Sequence, residues 1–263
     1  MTTNYGNWMP DSVIYMSGGI ALAGLIIGVY FGFINQSIDA TVRLILGIIG
    51  ALIFLGGLLF LVYCIFARRA FSYTGKRQLS KRIIEGLAAY VNLPEGGKGL
   101  DVGCGSGALT IAVAKRNPAL RMIGVDSWGA VYDIYGKTLC EKNAAAEGVD
   151  NVEFREGNAK QLDFPDGTFD LVYSNYVYHN VFGYNKQALL RETLRVLKPG
   201  GTFVLHDLMS KARYGDMEQF RAELKREGYA DVRLIPTDDG TLMSEREARL
   251  LMLKGSTILI GTK

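Results

Sequence analysis

The sequence predicts a doubly wound α/β domain that ends in an antiparallel edge hairpin and is preceded by a transmembrane helical hairpin. The first observation is the uneven distribution of charge along the chain. Residues 1–67 hold three charged side chains, whereas the rest of the chain carries 28 of the 29 Lys and Arg and 24 of the 26 Asp and Glu. The second is that short apolar segments alternate with helical patterns from residue 98 onward, which is typical of parallel βαβ units. We therefore expect a membrane hairpin (1–67), a juxtamembrane linker with an amphipathic helix (68–97) and an α/β domain (98–263).

Composition excludes several classes of protein. The chain has 263 residues, of which 49% are apolar and 21% charged, so it is neither disordered nor a disulfide-rich scaffold. Cys64, Cys104 and Cys140 form no C-x-x-C pair, so no metal site is expected and a reducing compartment fits. The net charge of +3 is too mild to indicate nucleic acid as a partner.

Two uncharged runs predict the membrane spans. Val13–Ile34 and Leu44–Phe66 each have the length that crosses a bilayer core of about 30 Å. A signal peptide is excluded because no basic segment precedes the first run and a second span follows it. Basic residues crowd behind the second span, whereas the loop between the spans holds only Arg43, so we expect both termini and the α/β domain to be cytoplasmic. The basic residues are Arg68, Arg69, Lys76, Arg77, Lys81 and Arg82.

Small residues in the first span permit close helix packing. Gly24, Gly28 and Gly32 recur every four residues, which places them on one helix face. They pack either against the second span or against a second copy of the chain, which would make a homodimer. After the spans, Gln78–Val91 has an amphipathic helical pattern, whose basic flank either contacts anionic membrane lipid or forms a solvated face.

The α/β domain can be divided into elements from its apolar runs and its Gly and Pro punctuation. The expected strands are Gly99–Val102, Met122–Val125, Val152–Arg155, Phe169–Ser174, Thr202–Leu205, Ala230–Ile235 and Ser256–Thr262. The expected helices are Ala108–Arg116, Gly136–Glu147, Lys186–Leu197 and Met217–Glu227. The last two strands are expected to pair antiparallel at the sheet edge.

A glycine-rich loop follows the first strand. Gly103–Ala108 (GCGSGA) connects that strand to a helix, and its glycines allow a tight turn and close approach of a ligand to the backbone. Asp126 ends the second strand, where a carboxylate accepts hydrogen bonds from ribose hydroxyls. This pattern indicates an adenine nucleoside, and it also fits NAD.

Four motifs in order resemble the class I S-adenosylmethionine-dependent methyltransferases, whose fold is Rossmann-like. LDVGCGSGALT (Leu100–Thr110) resembles the first motif and IGVD (Ile123–Asp126) the acid of the second strand. NVEFREGNAKQLDFPDGTFDLVYSN (Asn151–Asn175) resembles the third and fourth strand motifs, and RVLKPGGTFVL (Arg195–Leu205) leads into the fifth. The resemblance covers residues 78–263.

The resemblance implies S-adenosylmethionine as cofactor. Asp101 and the glycine-loop backbone would hold its methionine end, and Asp126 its ribose. Asn158 stands where the family usually has an acid facing the adenine amino group, and an amide oxygen still accepts that hydrogen bond without charge assistance. Trp128–Tyr135 is an aromatic insertion; Trp128 stacks on adenine, lines the acceptor pocket or packs under a loop. The full expected cofactor set is Asp101, Gly103, Cys104, Gly105, Gly107, Asp126, Ser127, Trp128, Asn158, Ala159 and Asn175.

His179 is the candidate general base. The sulfonium of the donor makes its methyl group electrophilic, so the protein mainly aligns the acceptor and excludes water, and a base helps when the acceptor is a phenol, thiol or acidic carbon. The alternative is a structural histidine that caps the following helix. His206 and Asp207 fall at the same sheet edge. Three tyrosines would make that edge aromatic and suited to a flat or apolar acceptor: Tyr176, Tyr178 and Tyr184.

The sequence therefore predicts a membrane-anchored methyltransferase for a small, lipophilic acceptor such as a quinone, an isoprenoid or a lipid head. An NAD-dependent membrane oxidoreductase is the first alternative, which Asp101 and the edge hairpin disfavour. A non-catalytic S-adenosylmethionine-binding membrane scaffold is the second, which Asn158 leaves open. No Asn/Asp-Pro-Pro-Tyr run follows the fourth strand, so methylation of DNA bases is not expected.

Overall fold

A computed structural model of the chain describes residues 2–91, 93, 96–128 and 136–263. The described residues fall into two compact units. Residues 7–80 make up one unit, and residues 81–263 together with the N-terminal residues 2–6 make up the other. The boundary after residue 80 lies within the segment 68–97 that was expected to be a linker with an amphipathic helix.

The smaller unit contains two long helices. Helix α1 (Asp11–Val29) continues through a π-helical turn (Tyr30–Ile34), and helix α2 spans Ala40–Phe71. Asp39 caps α2, because its Oδ1 accepts hydrogen bonds from the backbone N–H groups of the first turn. Both helices are long and apolar enough to cross a membrane, by length and composition. Large apolar side chains are exposed along both of them, among them Leu22, Ile26, Leu52 and Leu59.

The glycines of α1 pack against α2. A Cβ added to Gly24 would lie 2.3 Å from the backbone nitrogen of Phe54, and one added to Gly28 would lie 3.3 Å from that of Ala51. A Cβ on Gly50 would lie 2.2 Å from the backbone nitrogen of Gly28. The stripe is therefore covered within the chain, as the first interpretation expected. These small residues provide the close approach of α1 to α2, and a homodimer through the first span stays a prediction.

The larger unit is built on a seven-stranded sheet with the order β3-β2-β1-β4-β5-β7-β6. The strands are β1 (Gly97–Val102), β2 (Leu120–Asp126), β3 (Val152–Glu156), β4 (Phe169–Asn175), β5 (Leu197–Leu208), β6 (Ala230–Pro236) and β7 (Ser256–Thr262). The remaining helices are α3 (Leu79–Ala88), α4 (Ala108–Arg116), α5 (Lys137–Ala146), α6 (Lys186–Arg195), α7 (Lys211–Tyr214), α8 (Met217–Arg226) and α9 (Glu245–Leu250).

The predicted α/β class is confirmed. Strands β1 to β5 are parallel, and β7 pairs antiparallel with both β5 and β6, which confirms the edge hairpin. Helices α7 and α9 were not predicted, although Ser244 and Glu247 form a capping box at the start of α9. Of the aromatic insertion at 128–135, residues 129–135 lie outside the described residues.

Helices cover both faces of the sheet. Leu100 and Val102 belong to the core cluster that includes residues of α6 and α8. Asp101 alternates with them along β1, so its side chain points to the opposite face, where it is bonded to Thr110 of α4. A second cluster on that side joins α4, α5 and β3 around Phe154.

The topology brings four strand ends to one edge of the sheet. The carboxyl ends of β1, β2, β4 and β5 lie side by side, because these strands are parallel neighbours. The chain reverses its winding between β1 and β4, and ligands of doubly wound sheets bind outside such a point. The glycine loop, Asp126, Asn175 and Asp207 all follow or end these strands. The edge is therefore the candidate site.

Candidate functional site

The loop after β1 has a backbone conformation that strongly favours glycine. Gly103 and Gly107 have φ angles of +75° and +80°. A Cβ added to Gly103 would lie 2.3 Å from Cγ2 of Val177, and one added to Gly107 would lie 3.0 Å from the ring of Phe154. The turn is closed by the Gly103 N–H, which donates to the carbonyl of Val125 over 2.7 Å. Both the strain and the space therefore require glycine at these two positions.

Asp126 holds this loop through both oxygens. Its Oδ2 accepts a hydrogen bond from the backbone N–H of Gly105 (2.9 Å), and its Oδ1 accepts one from that of Trp128 (2.8 Å). Ser127, between Asp126 and Trp128 in the sequence, is exposed. Each carboxylate oxygen has a second lone-pair position, so Asp126 still has acceptor sites for two hydroxyl groups.

Trp128 lies over the loop that Asp126 holds. Its indole Nε1–H donates to the carbonyl of Gly105 over 2.9 Å, and its φ is +39°. The half-buried side chain packs against the core cluster of Cys104, Ile111, Cys140, Ala144 and Phe154. Of the three interpretations, packing against the loop is the one that the described contacts support.

Asp101 is a buried acid beside the same loop. It is 1% exposed, and its Oδ2 accepts a hydrogen bond of 2.6 Å from the Thr110 hydroxyl. Burial raises the pKa of Asp101 to about 7; the negative charge of Asp126 adds to this, and the bond from Thr110 opposes it. A buried carboxyl with this pKa gains from a cationic partner, such as the ammonium group of an amino acid.

The segment after β3 lies next to Asp126 through its backbone. The N–H of Gly157 donates to the carbonyl of Asp126 over 2.9 Å. Asn158 is exposed, and its Oδ1 accepts a hydrogen bond from the backbone N–H of Lys160 (2.9 Å). Ala159 is half-buried against the core. The Asn158 oxygen is thus engaged in its own turn, with one lone pair left for another donor.

The N-terminal residues contact the glycine loop, which the sequence did not predict. The Ser106 hydroxyl donates to the carbonyl of Tyr5 over 3.0 Å. The side chain of Asn143, 1% exposed, accepts a bond from the Asn4 N–H (2.7 Å) and donates to the Asn4 carbonyl (2.8 Å). These partners are 139 residues apart, and no pattern in the sequence joins them.

His179 lies at the other end of the site, in the 3₁₀ turn Tyr178–Asn180 that follows β4. Its Nδ1 is 2.6 Å from Oδ1 of Asp207, and 19% of its side chain is exposed. Helix α6 is capped by Asn185, whose Oδ1 accepts from the Ala188 N–H over 3.1 Å. Asn185 and not His179 therefore caps α6, so a structural role of His179 would rest on its contacts with Asp207.

Asp207 is fully buried, and its two oxygens have different partners. Oδ2 accepts from the backbone N–H groups of Tyr178 (2.8 Å) and His179 (3.2 Å). Oδ1 accepts from the Leu208 N–H (2.6 Å) and faces Nδ1 of His179. Burial by itself would raise the pKa of Asp207, but the hydrogen bonds and charge interaction, those with His179 first, hold it below its usual value. The group is therefore an ionised carboxylate at neutral pH.

His206 cannot serve as the base. It is fully buried, its Nδ1 is 2.8 Å from Oδ1 of Asn175, and its Nε2 is 2.8 Å from the hydroxyl of Thr237. Burial lowers the pKa of His206 to about 3, so the ring is neutral. The carbonyl of Asn175 is engaged by this ring. His206 is thus fully buried with both ring nitrogens bonded, to the half-buried Asn175 and the buried Thr237, whereas His179 is partly exposed.

The three tyrosines have different positions. The Tyr176 ring centroid is 6.1 Å from that of His179 and 4.6 Å from that of His206, and its hydroxyl is 2.6 Å from that of Ser256. Tyr178 is fully buried and bonded to Thr193, so it is a core residue. Tyr184 is 51% exposed, with Nζ of Lys160 4.5 Å from its ring centroid. Only Tyr176 of the three has a ring contact with the candidate base among the described residues.

No group of three or more His, Cys, Asp or Glu that could hold a metal ion occurs among the described residues. The glycine cradle and the buried acid Asp101 fit an organic ligand that carries a cationic amino group. The acceptor sites left on Asp126 fit the hydroxyls of a ribose. These residues therefore suit a nucleoside joined to an amino acid.

Comparison with known proteins shows what the larger unit is similar to. Residues 100–205 match the family model described as a methyltransferase domain. A demethylmenaquinone methyltransferase of Geobacillus stearothermophilus is 35% identical over 126 residues, which cover 48% of this chain and 51% of that protein. A sterol 24-C-methyltransferase of Gibberella zeae is 33% identical over 129 residues, covering 49% and 32%.

The solved structures agree on the fold. A phosphoethanolamine N-methyltransferase of Haemonchus contortus, in complex with S-adenosylhomocysteine, superposes with a TM-score of 0.54 at 15% identity. The match covers 74% of this chain and 56% of that one. The chain spans about half the length of the first curated relative. S-adenosylmethionine is the cofactor expected for this fold.

Proposed function

We propose that this chain, which carries a methyltransferase domain of the class I S-adenosylmethionine-dependent fold, transfers a methyl group from S-adenosylmethionine to a small lipophilic acceptor. One observation carries the proposal: a glycine cradle with two acids ends β1 and β2, and a partly exposed histidine follows the neighbouring strand β4. The cofactor supplies an electrophilic methyl group. The chain has to bind it, align the acceptor and remove a proton.

The cofactor would be held by the cradle. The carboxylate of Asp101 attracts the amino group of the methionine end, and the loop at Gly103–Gly107 offers its backbone at close range. Asp126 would accept hydrogen bonds from the ribose hydroxyls while it keeps Gly105 in place. Asn158 and the backbone of Ala159 would lie at the adenine, next to Asp126.

His179 would act as general base toward the acceptor. It has a ring nitrogen beyond the one that faces Asp207, and it is partly exposed. A base is useful when the acceptor is a phenol or an acidic carbon, since the proton has to leave as the methyl group arrives. Tyr176 adds an aromatic surface beside this histidine, which suits a flat acceptor.

A lipophilic acceptor is supported by two further facts. Curated relatives are named for methyl transfer to demethylmenaquinone and to sterols. In addition, α1 and α2 form a pair of apolar helices long enough to span a membrane. We therefore propose a membrane-anchored enzyme whose acceptor is a quinone-like, isoprenoid or other lipid-soluble molecule.

We further propose that both termini are cytoplasmic. Six basic residues follow α2, and the connection between the helices holds only Arg43. Residues 2–6 and 81–263 belong to one compact unit, which agrees with an even number of crossings between them. Reporter fusions after Lys263 and within 35–39 should report opposite sides of the membrane. A periplasmic or external signal from the C-terminal fusion contradicts this topology.

The test of the function uses the full chain in detergent or nanodiscs. Calorimetry should show binding of S-adenosylhomocysteine and no measurable binding of NAD. Incubation with methyl-labelled S-adenosylmethionine and the lipid extract of the source membrane should move label into the organic phase. The Asp126→Ala variant is the matched control and should transfer little label. Preference for NAD would indicate an oxidoreductase, and donor binding without labelled lipid would indicate a non-catalytic scaffold.

A further inference from the structure

We propose that Asp207 is a positioning residue that fixes the tautomer of His179, so that Nδ1 carries the ring proton and Nε2 takes the proton of the acceptor. The inference rests on the proposed function, because it assigns the reacting nitrogen of the base. It is carried by the contacts of Asp207, which divide between its two oxygens.

The carboxylate determines which nitrogen is protonated. Oδ1 of Asp207 lies 2.6 Å from Nδ1 of His179, which is a short hydrogen-bond distance. An ionised carboxylate only accepts hydrogen bonds, so the imidazole nitrogen must be the donor. The neutral ring then has its hydrogen on Nδ1 and its lone pair on Nε2.

The backbone contacts of Asp207 fall on both oxygens, and only Oδ1 also contacts the imidazole. Oδ2 binds the backbone N–H groups of Tyr178 and His179 and so holds the start of the 3₁₀ turn. The contact from Oδ1 to the imidazole is separate from this cap. Asp207 is fully buried at the end of β5, and the Leu208 N–H fixes Oδ1 at 2.6 Å. The carboxylate is therefore a rigid acceptor for the ring.

The other histidine provides the contrast. Both ring nitrogens of His206 have partners within 2.8 Å, and the residue is fully buried. His179 has one nitrogen on Asp207, and 19% of its side chain is exposed. A histidine with one nitrogen held by a buried carboxylate has its second nitrogen available for proton transfer, which is the logic of Asp-His pairs in other enzymes.

The chemical step balances with these groups. The acceptor atom gains the methyl group as the bond between methyl and sulfur breaks, and the electron pair of that bond leaves with the sulfur, which becomes a neutral thioether. The proton of the acceptor passes to Nε2 of His179. The resulting imidazolium is stabilised by the Asp207 carboxylate and returns the proton to water.

The tautomer can be measured without knowing the acceptor. The chain has two histidines, so ¹⁵N-histidine labelling gives two imidazoles in a long-range ¹H–¹⁵N spectrum of the full chain in detergent. The His179→Gln variant assigns the signals. At about pH 8.5, above the usual histidine pKa, His179 should show a pyrrole-type Nδ1 and a pyridine-type Nε2. A pyridine-type Nδ1 in the unmodified chain overturns the proposal.

Two variants separate positioning from folding. In Asp207→Asn, one carbonyl oxygen remains and can still accept the hydrogen bonds from the backbone of the 3₁₀ turn. The amide nitrogen on the other side is itself a donor, so Nδ1 of His179 no longer has to carry the ring proton. We expect the His179 signals to lose the Nδ1–H pattern, while calorimetry still shows binding of S-adenosylhomocysteine. Asp207→Glu, which retains a carboxylate, should restore the pattern. Thr237→Val is the matched control: it should move the His206 signals and leave those of His179 in place.

Activity gives a second readout once an acceptor is in hand. Asp207→Asn should lower kcat by roughly 10–10²-fold with little change in the KM for S-adenosylmethionine, because tautomer control acts in the transition state. An unchanged tautomer and unchanged kcat in Asp207→Asn would reduce Asp207 to a cap. Absence of methyl transfer in the unmodified chain, with the expected tautomer present, would instead reject the proposed function and leave the pairing intact.

Discussion

The two ends of the site are built from different materials. At β1 and β2 the groups are mainly backbone: a loop with two glycines at positive φ, held by the carboxylate of Asp126. At β4 and β5 they are side chains: His179 on a short turn, held by the buried carboxylate of Asp207. In each case a carboxylate fixes the working group, but it fixes a main-chain turn in the first and an imidazole ring in the second.

This difference indicates a division of labour. A backbone cradle recognises a cofactor of constant shape, since main-chain groups offer the same donors and acceptors whatever the side chains are. In the proposed function, the imidazole of His179 beside an aromatic ring would act on the variable acceptor, and its contribution would lie in the transition state. The cofactor end should therefore control donor affinity, and the acceptor end should control rate.

The largest expected effect is on the rate at the acceptor end. His179→Ala should lower the single-turnover rate by about 10²–10⁴-fold and leave the affinity for S-adenosylmethionine nearly unchanged, because a general base acts only in the transition state. His179→Gln keeps a hydrogen-bonding side chain but cannot take the proton, so it should be equally slow. Restoration of most of the rate by Gln would make His179 a positioning residue, and loss of donor binding in both variants would break the division itself.

The next effect is on donor affinity at the cofactor end. Asp126→Ala removes the acceptor for the ribose hydroxyls and the bond to Gly105, which should weaken binding by about 2–3 kcal/mol. Calorimetry with S-adenosylhomocysteine measures this loss of affinity. The control is Asp150→Ala, which removes an exposed acid before the amino end of β3, away from the strand ends that form the site. The Asp126→Ala substitution should weaken binding of a 2′-deoxy analogue less than binding of the ribose form, because the analogue has one hydroxyl fewer to bond to Asp126. Equal losses would mean that Asp126 acts only through the loop.

A smaller effect follows from the pKa of Asp101. Since burial raises this pKa to about 7, the free domain holds a proton there below pH 7, and this group makes the domain less stable as pH rises from about 4 to 7. Binding of a cationic amino group favours the ionised form, so donor affinity should rise with pH up to about 7, by at most about tenfold per unit. Calorimetry at about pH 6 in two buffers of different ionisation enthalpy should detect a released proton. Asp101→Asn should release none, and equal release in the variant would assign the proton to another group.

The smallest effect concerns the adenine end of the cradle. Asn158→Asp replaces an amide oxygen with a charged acceptor, which should strengthen donor binding by a few-fold if the adenine amino group is its partner. The exposed position of Asn158 limits the gain. Calorimetry measures the change. An unchanged or lower affinity would remove Asn158 from the adenine contact.

The fold and the glycine loop after β1 could be predicted from the sequence because they depend on local features. Six of the seven strands were expected within two residues of their observed bounds, since apolar runs and Gly or Pro punctuation mark them directly. The exception is β5 (Leu197–Leu208), which was expected only over Thr202–Leu205 because Pro199 and the two following glycines indicated a turn. The glycine loop was equally visible, because a positive φ restricts the residue type at that position. The start of α9 was missed although its Ser244–Glu247 capping pattern is present in the sequence.

Tertiary structure alone decided the acceptor end and the packing of the glycine stripe. His179 and Asp207 are 28 residues apart and meet because β4 and β5 are parallel neighbours whose register pairs Asn175 with His206. Gly28 faces α2 because of the way the two helices pack. Small residues permit such close packing, but they do not specify which helix is the partner. A sequence determines which backbone conformations and apolar faces its residues favour, whereas the side chains that come within 3 Å of each other are fixed only when the strand order and register bring distant segments together.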